Sequence, residues 1–285
     1  MFVVTLKVGD AHGHVNPVKG LGPRVIARRF AEAGGWLYGL VNLLSWSVDL
    51  EIEVAEDYEK LYRMTIAAAE EMRKEGIIVP VFIGPHPAEA VSLVKRGFRI
   101  EEAVDIIVRA YELAANYVKR GLARGLGETG RPHWRVERRI MEMCTEIMGH
   151  VIELAAQLNV PVHLHLDPRK EAIHAAYNYA KRFAASKVIV HHARGELAYQ
   201  AAKLGLTPSV PAKMSEILAA RKAWGVMVVE SDFLDDPKRP GAVVAPWSIK
   251  RIFIRLVRRG ELSVETAYRI LIENPARLYN ISFTG

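Results

Sequence analysis

Six of the ten histidines stand in three tight pairs, and imidazole is the side chain that most often ligates transition metals in proteins. The pairs are His12/His14, His163/His165 and His191/His192. Each pair closes an apolar, β-branched stretch, so each falls where a buried strand should end. Glu128 in GETG and Asp232 in ESDFLDD stand at comparable points. These residues predict a metal site assembled from distant parts of one sheet.

The first two pairs each place two rings on one side of the chain, because residues two apart in an extended segment point the same way. His12 and His14 can therefore reach one ion, and Asp10 is expected to orient one of them from behind. In VPVHLHLD, His165 is nearer the end of the strand and is the predicted ligand. His163 lies deeper, so it is predicted to be a core histidine or a support for a ligand.

The third histidine pair and the last apolar run supply the remaining candidate metal ligands. His191 and His192 point to opposite faces if their strand stays regular, so one of them is expected to be a ligand, and side alternation alone does not choose. Asp232 is predicted to be a ligand or a general base, with Glu230 facing inward behind it. A carboxylate buried beside an apolar strand is costly unless it is paired or binds metal.

The segment GLGETGRPHW supplies a further acidic group and two candidate substrate contacts. Glu128 is flanked by glycines, which let backbone and ligand approach closely, and a carboxylate between two histidine sets can bridge two cations. Arg131 is predicted to hold an anionic substrate group, together with His133. The alternative for Glu128 is a solvated turn glutamate, and the alternative for Arg131 is a surface salt bridge. His86, between a strand end and a helix start, is expected to be structural.

Strand-like and helix-like stretches alternate along the whole chain. The strand-like runs lie near residues 2–8, 36–44, 77–84, 123–127, 161–166, 187–192, 206–210 and 225–231. The helical patterns lie near residues 23–34, 56–75, 87–120, 135–158, 169–185, 196–204, 212–223 and 246–272. Eight such units predict an α/β fold, a (β/α)8 TIM barrel, whose active face lies at the carboxyl ends of the strands. An open doubly wound sheet is the alternative, and the lack of a glycine-rich phosphate loop after the first strand argues against it.

Composition sets the remaining expectations. The 285 residues show no linker, so residues 1–285 are expected to form a single domain. The single cysteine, Cys144, excludes an internal disulfide and a four-cysteine zinc site, and its helical surroundings predict a packed core thiol. A net charge of +7 favours anionic partners, but the basic residues are scattered. No run of transmembrane length and no signal peptide is evident, which predicts a cytoplasmic protein without a membrane partner. Nothing in the sequence indicates an oligomeric state.

With these motifs in view, the chain resembles the amidohydrolase superfamily, and within it TatD-related metal-dependent hydrolases of an archaeal branch. The matching segments are DAHGHVNPVKGLGP, GETGRPH, VHLH, VIVHHARG, ESDFLDDPKRPGAV and ENPARLYNI. The ligands that this resemblance implies are His12, His14, Glu128, His165, His191 and Asp232. The choice of His191 rests on its distance to Gly195, which matches the family motif. The segments ARGE, GETGRPH and ESDFLDDPKRPG depart from typical members and would reshape the substrate mouth.

The resemblance implies a metal-dependent hydrolase in which one or two divalent ions activate water and Asp232 acts as the general base. Mixed histidine and carboxylate ligation suits zinc, manganese, nickel or iron better than calcium. The expected substrate is a phosphoester or a small amide or ester. A TatD-like DNase or exonuclease acting on nucleic acid is one alternative. A non-catalytic nucleic-acid-binding protein with a structural metal is another, and ligands drawn from many strands argue against it.

Overall fold

Eight parallel strands follow one another around a barrel, each hydrogen-bonded to the next in chain order. The computed structural model describes residues 6–239 and 243–283. The strands β1 to β8 are Val8–Gly13, Gly35–Val41, Val81–Ile83, Gly125–Gly130, Val162–His165, Val188–His191, Thr207–Pro211 and Val228–Glu230. Nearly every strand residue is buried, as expected for parallel strands covered on both faces.

Two backbone hydrogen bonds join the chain that follows β8 to β1. The amide of Asp232 donates to the carbonyl of His12 at 2.9 Å, and the amide of His14 donates to the carbonyl of Phe233 at 2.7 Å. The sheet therefore comes round nearly to closure. The predicted single-domain (β/α)8 barrel is confirmed, and both closing bonds involve residues next to the candidate site.

Helices cover the outside of the barrel. The helices α1 to α11 are Pro23–Glu32, Tyr58–Arg73, Pro87–Lys95, Ile100–Lys119, Arg138–Leu158, Lys170–Phe183, Gly195–Lys203, Met214–Ala219, Ile249–Arg258, Val264–Tyr268 and Asn274–Tyr279. Short 3-10 turns occur at Ser45–Val48, Ala55–Asp57, Arg221–Ala223 and Pro246–Ser248, and a π-helical turn at Arg269–Glu273. Cys144 is buried on α5, as predicted, and burial raises the pKa of its thiol to about 12. Among the helices described, none combines the length and apolarity needed to cross a membrane.

Several of the predicted boundaries were wrong. The helix predicted over 246–272 is divided into α9, α10 and a π-helical turn. The helix predicted over 87–120 is two helices, because Gly97 adopts φ 102°, a left-handed conformation that ends a right-handed helix. The strand predicted over 2–8 begins only at Val8 and continues through polar residues to Gly13; residues 1–5 lie outside the described part. Asp10 and His12 therefore lie inside β1, with fully buried side chains, and do not follow it.

The barrel floor beneath the candidate site is aromatic. The ring of Phe82 on β3 lies 4.3 Å from the ring of His163 and 5.2 Å from that of Tyr279. The Tyr279 hydroxyl donates to the carbonyl of Ala11 at 2.9 Å, which fastens the last helix under β1. A packed, dry floor of this kind holds the polar side chains above it in fixed positions.

Candidate metal centre

The predicted ligand side chains converge at the carboxyl end of the barrel. They are His12, His14, Glu128, His165, His191 and Asp232, on or just after β1, β4, β5, β6 and β8. His12 Nε2 lies 3.1 Å from Glu128 Oε1 and 3.3 Å from His14 Nε2. His14 Nε2 lies 3.6 Å from Asp232 Oδ1. Residues separated by up to 220 positions thus place their polar atoms around one point.

These separations match those between ligands of a single ion. Nitrogen and oxygen ligands at about 2.1 Å from a tetrahedral zinc lie about 3.4 Å apart. The distances from His191 Nε2 to Glu128 Oε2, 3.7 Å, and to Asp232 Oδ1, 3.9 Å, are slightly longer than that value. The spacing therefore accommodates a divalent ion with only small side-chain adjustments.

Hydrogen bonds behind the rings decide which nitrogens face the centre. His14 Nδ1 lies 3.0 Å from the carbonyl of Val41, an atom that only accepts, so Nδ1 carries the proton and Nε2 presents a lone pair. His191 Nδ1 donates in the same way to Glu230 Oε2 at 2.8 Å. At these two rings a lone pair therefore faces the centre beside the carboxylate oxygens, an arrangement that fits a cation.

Glu128 divides its two carboxylate oxygens between two groups of histidines. Its Oε1 faces His12 and His14, whereas its Oε2 lies 3.1 Å from His165 Nδ1. Burial raises the pKa of this carboxyl, but His12 and His191 outweigh that effect and hold it well below its usual range. The predicted strand ended at 127, but β4 continues to Gly130, so Glu128 projects from within the strand.

The regular strand assumed for His191 and His192 is not maintained. His192 adopts φ 56°, and both rings turn to the same carboxylate. Glu230 Oε1 accepts from His192 Nδ1 at 2.8 Å and from its backbone amide at 3.0 Å, while Ser209 Oγ donates to Oε2 at 2.5 Å. His192 Nε2 then lies 3.3 Å from Asp232 Oδ2. Glu230 is thus placed to orient both rings.

His163 and Asp10 lie behind His12. His163 Nδ1 is 3.0 Å from His12 Nδ1, and the ring also packs on the aromatic floor. Asp10 Oδ1 accepts from the amides of His12 at 3.3 Å and Ser231 at 2.8 Å. The Asp10 carboxylate therefore holds backbone and touches no histidine ring, and burial raises its pKa to about 7.

The two predicted substrate contacts differ in position. Arg131 lies outside the cavity wall, with its Nε 2.9 Å from Asp167 Oδ2, and both side chains are largely buried. Asp167 engages the guanidinium, as in the salt-bridge alternative, and the contact of Arg131 with an anionic substrate group stays a prediction. His133 lines the cavity, and its Nδ1 lies 2.7 Å from His165 Nε2. That contact supports the ring of His165 from the solvent side.

A cavity of about 820 Å³ opens above the centre. Its apolar wall includes Leu43, Trp46, Trp134 and Leu234. Its rim carries the cationic residues Lys19, Arg194, Lys238 and Arg239. Lys19 pairs with Asp49 and Arg239 with Asp236, which Lys238 also neighbours, whereas Arg194 forms no ion pair with a described carboxylate. The mouth of the site therefore carries positive charge.

His86 is the residue whose role the sequence reasoning missed. It follows β3 and caps α3, with Nδ1 accepting from the amide of Ala88 at 3.0 Å. Its Nε2 points to Glu128 Oε2 at 3.9 Å. The signal was present, because His86 follows an apolar run as the ligand histidines do.

Comparisons with known proteins identify the family of the chain and solved structures of similar fold. The sequence model of the family described as TatD-related DNase matches residues 9–280. An uncharacterized protein of Methanocaldococcus jannaschii is 29% identical over 284 residues, which is 97% of each chain. Among solved structures, a TatD homologue of Escherichia coli K12 superposes with a TM-score of 0.61 at 17% identity, covering 90% of this chain and 92% of that one. A mutant organophosphorus hydrolase of Deinococcus radiodurans gives 0.60 at 11% identity, covering 97% and 94%.

Proposed function

We propose, because the chain belongs to the family of TatD-related DNases, that it is a divalent-metal-dependent hydrolase of phosphodiesters. The observation that carries this proposal is the convergence of four histidines and two carboxylates, two of whose rings turn a lone pair to the centre. A structural zinc site usually closes with four ligands from neighbouring positions. This set comes from five strands and faces an open cavity, which suits catalysis better than a structural role.

The six converging side chains would hold one or two divalent ions, with Glu128 between two positions. The two Glu128 oxygens face different histidines, which supports a bridging role. A divalent ion held by these residues would supply a water whose pKa is lowered to about 7 and would polarise the oxygen of the scissile group. Histidine-rich ligation favours zinc, manganese, nickel or iron.

Asp232 is the proposed general base. It projects into the cavity just after β8, with Oδ1 3.6 Å from His14 Nε2 and Oδ2 3.3 Å from His192 Nε2. From that position its carboxylate can take the proton of an attacking water and return it to the leaving group. His192, held by Glu230, keeps Asp232 in place from the other side.

The charge of the cavity mouth favours an anionic substrate. Arg194 lines the rim without an ion-pair partner among the described residues, so its charge is available to phosphate oxygens. Trp46 and Trp134 lie in the same wall and offer flat surfaces on which nucleobases stack. A nucleic-acid phosphodiester combines both features.

A small cyclic ester or amide is the second candidate substrate. The apolar wall of the cavity favours it, because such substrates carry no net charge. One solved structure of similar fold is an organophosphorus hydrolase and another is a lactonase, and the lactonase supports hydrolysis of a cyclic ester as the second candidate.

The deciding experiment is a hydrolysis screen of protein reconstituted with manganese, zinc, nickel or iron. The substrates are bis(p-nitrophenyl) phosphate, a single-stranded oligodeoxynucleotide, a γ-lactone and a cyclic amide. We expect phosphodiester cleavage, reduced about 10²- to 10⁴-fold by Asp232→Asn, since an amide cannot take a proton. Asp105→Asn, an exposed residue of α4 that does not line the cavity, is the matched control. Cleavage of lactone or cyclic amide alone, or phosphodiester binding without cleavage, would refute the proposal.

A further inference from the structure

His86 could serve the centre in two different ways. Its Nε2 lies within ligand-forming distance of Glu128 Oε2 and His165 Nδ1, so the three residues resemble a further metal site. The same nitrogen could instead carry a hydrogen and donate it to a bound molecule. The position of the single ring proton decides between these roles.

The start of α3 fixes that proton. The amide of Ala88 donates to His86 Nδ1 at 3.0 Å, and a ring nitrogen that accepts a hydrogen bond carries no hydrogen. In the neutral ring the proton then lies on Nε2. Pro87 at the first helical position and the extended conformation of His86, φ −73° and ψ 153°, hold this cap in place.

Capping and metal ligation exclude each other at this ring. A metal at Nε2 would require the proton on Nδ1, where it would face the N–H of Ala88. The four ligand histidines have no such restriction, and His14 and His191 are held in the opposite tautomer by the acceptors behind them. His86 is therefore the one ring in the described site whose inward nitrogen is held as a donor by a backbone amide.

The Nε2–H group also lacks an acceptor of its own. The distance to Glu128 Oε2, 3.9 Å, exceeds a hydrogen bond, and no described residue accepts from this nitrogen. The side chain of His86 is 16% exposed and lines the cavity. Its Nε2–H is therefore open to the cavity and free to donate to a bound molecule.

We propose that His86 is not a metal ligand but a hydrogen-bond donor to a phosphoryl oxygen of the substrate at the metal centre. The inference that this oxygen is phosphoryl rests on the proposed function. The rings of His14 and His191 and the nearby carboxylates present lone pairs, which would repel a substrate oxygen. His86 supplies a donor beside them, and a fixed donor aimed at developing negative charge stabilises a transition state.

Two variants separate the cap from the donor. In His86→Asn the amide oxygen takes the place of Nδ1 and keeps the helix cap, but the inward donor is lost. In His86→Gln the amide nitrogen reaches the place of Nε2, but the cap is lost. The measurements are zinc equivalents bound, the ring tautomer by long-range proton–nitrogen NMR with and without zinc, and the affinity of zinc-loaded protein for inorganic phosphate.

We expect His86 to keep its Nε2 proton after zinc loading, and His86→Asn to bind the same number of zinc equivalents as the parent. Phosphate affinity should fall about 10- to 100-fold in His86→Asn, and less in His86→Gln. A zinc-bound Nε2, a missing zinc equivalent in His86→Asn, equal phosphate affinities, or no phosphate binding by the parent would overturn the proposal. Phosphodiester hydrolysis is a separate readout: its absence refutes the proposed function and leaves the donor role standing on tautomer and phosphate binding.

Discussion

Glu230 accepts a hydrogen bond from His191 Nδ1 at 2.8 Å, and this contact leaves the Nε2 lone pair of His191 facing the metal centre. Glu230 is fully buried and receives three further hydrogen bonds, from Ser209 Oγ and from the ring and amide of His192. A carboxylate that is ionised so deep in the barrel must be held by its donors. Burial raises its pKa, but His191 and the other donors outweigh this and keep it well below its usual range.

Glu230→Gln should weaken metal binding without unfolding the barrel. The amide keeps the volume of the side chain but removes the charge, and it can donate toward His191 Nδ1, which frees that ring to turn its proton inward. Loss of an acceptor behind a ligand typically lowers metal affinity about 10- to 100-fold. Competition titration with a zinc chelator measures the change, and the exposed Glu265→Gln is the control. Unchanged zinc affinity in Glu230→Gln would show that His191 is oriented by other contacts.

Asp235→Ala should loosen the loop between β1 and α1. The Asp235 carboxylate accepts from the amides of Asn16 at 2.9 Å, Leu21 at 2.7 Å and Gly22 at 3.1 Å. These bonds fasten the loop that carries the rim residue Lys19 to the chain after β8. We expect faster hydrogen exchange at the amides of residues 16–22 in the variant.

Asp236→Ala provides the matched comparison for that exchange measurement. Asp236 is the next residue, but among the described residues its carboxylate contacts only Lys238 and Arg239, so exchange in residues 16–22 should be unaffected. Equal exchange rates in both variants would mean that packing, and not Asp235, holds the loop.

The sequence pattern predicted the barrel and the convergence of the ligands for one physical reason. In a parallel barrel the carboxyl ends of all strands meet at one face, so residues such as His165 and Asp232 must approach each other once the strands are recognised. Strand boundaries were less predictable. Asp10 and His12 interrupt the apolar pattern of β1, yet they lie inside the strand because its partners bury them.

The finer orientation of side chains depends on contacts that no local sequence pattern reveals. His192 leaves the strand with φ 56°, which turns its ring toward Glu230 on the same side as His191. Arg131 forms an ion pair with Asp167, a residue 36 positions away that no local motif connects to it. The helix start at residue 87 was predicted, but the hydrogen bond from the Ala88 amide that fixes the His86 tautomer appears only in the structure.

Glu89 should make the stability of the protein depend on pH. It is buried beneath the turn that carries Trp46 and accepts from the amide of Ser45 at 2.7 Å, Ser45 Oγ at 3.0 Å and the Tyr58 hydroxyl at 3.3 Å. Burial raises the pKa of this carboxyl above 4.5, and the hydrogen bonds from Ser45 only partly oppose it. The native state therefore binds the proton more tightly than the unfolded chain.

The sign of the effect follows from that raised pKa. The stabilisation is complete below pH 4.5 and is lost as the pH rises through the higher native value. The free energy of unfolding of the parent minus that of Glu89→Gln should therefore be larger at pH 4.5 than at pH 8. Urea unfolding at both pH values measures this double difference, in which other groups cancel. The exposed Glu112→Gln should show no such dependence, and a difference that grows with pH would contradict the burial argument.

Gly130→Ala should destabilise the barrel and reduce metal binding together. Gly130 ends β4 with φ 139°, and a Cβ built there would overlap the carbonyl oxygen of His165 on β5. That carbonyl is held by the amide of Arg131 at 2.7 Å, so it cannot move aside without separating the strands. Backbone strain and overlap together should cost more than about 2 kcal/mol of the free energy of unfolding. Displacing His165 should also lower the zinc equivalents bound.

In Gly225→Ala the added methyl meets open space, so its free energy of unfolding should change by less than about 0.5 kcal/mol. Parent-like zinc binding in a destabilised Gly130→Ala would remove His165 from the ligand set.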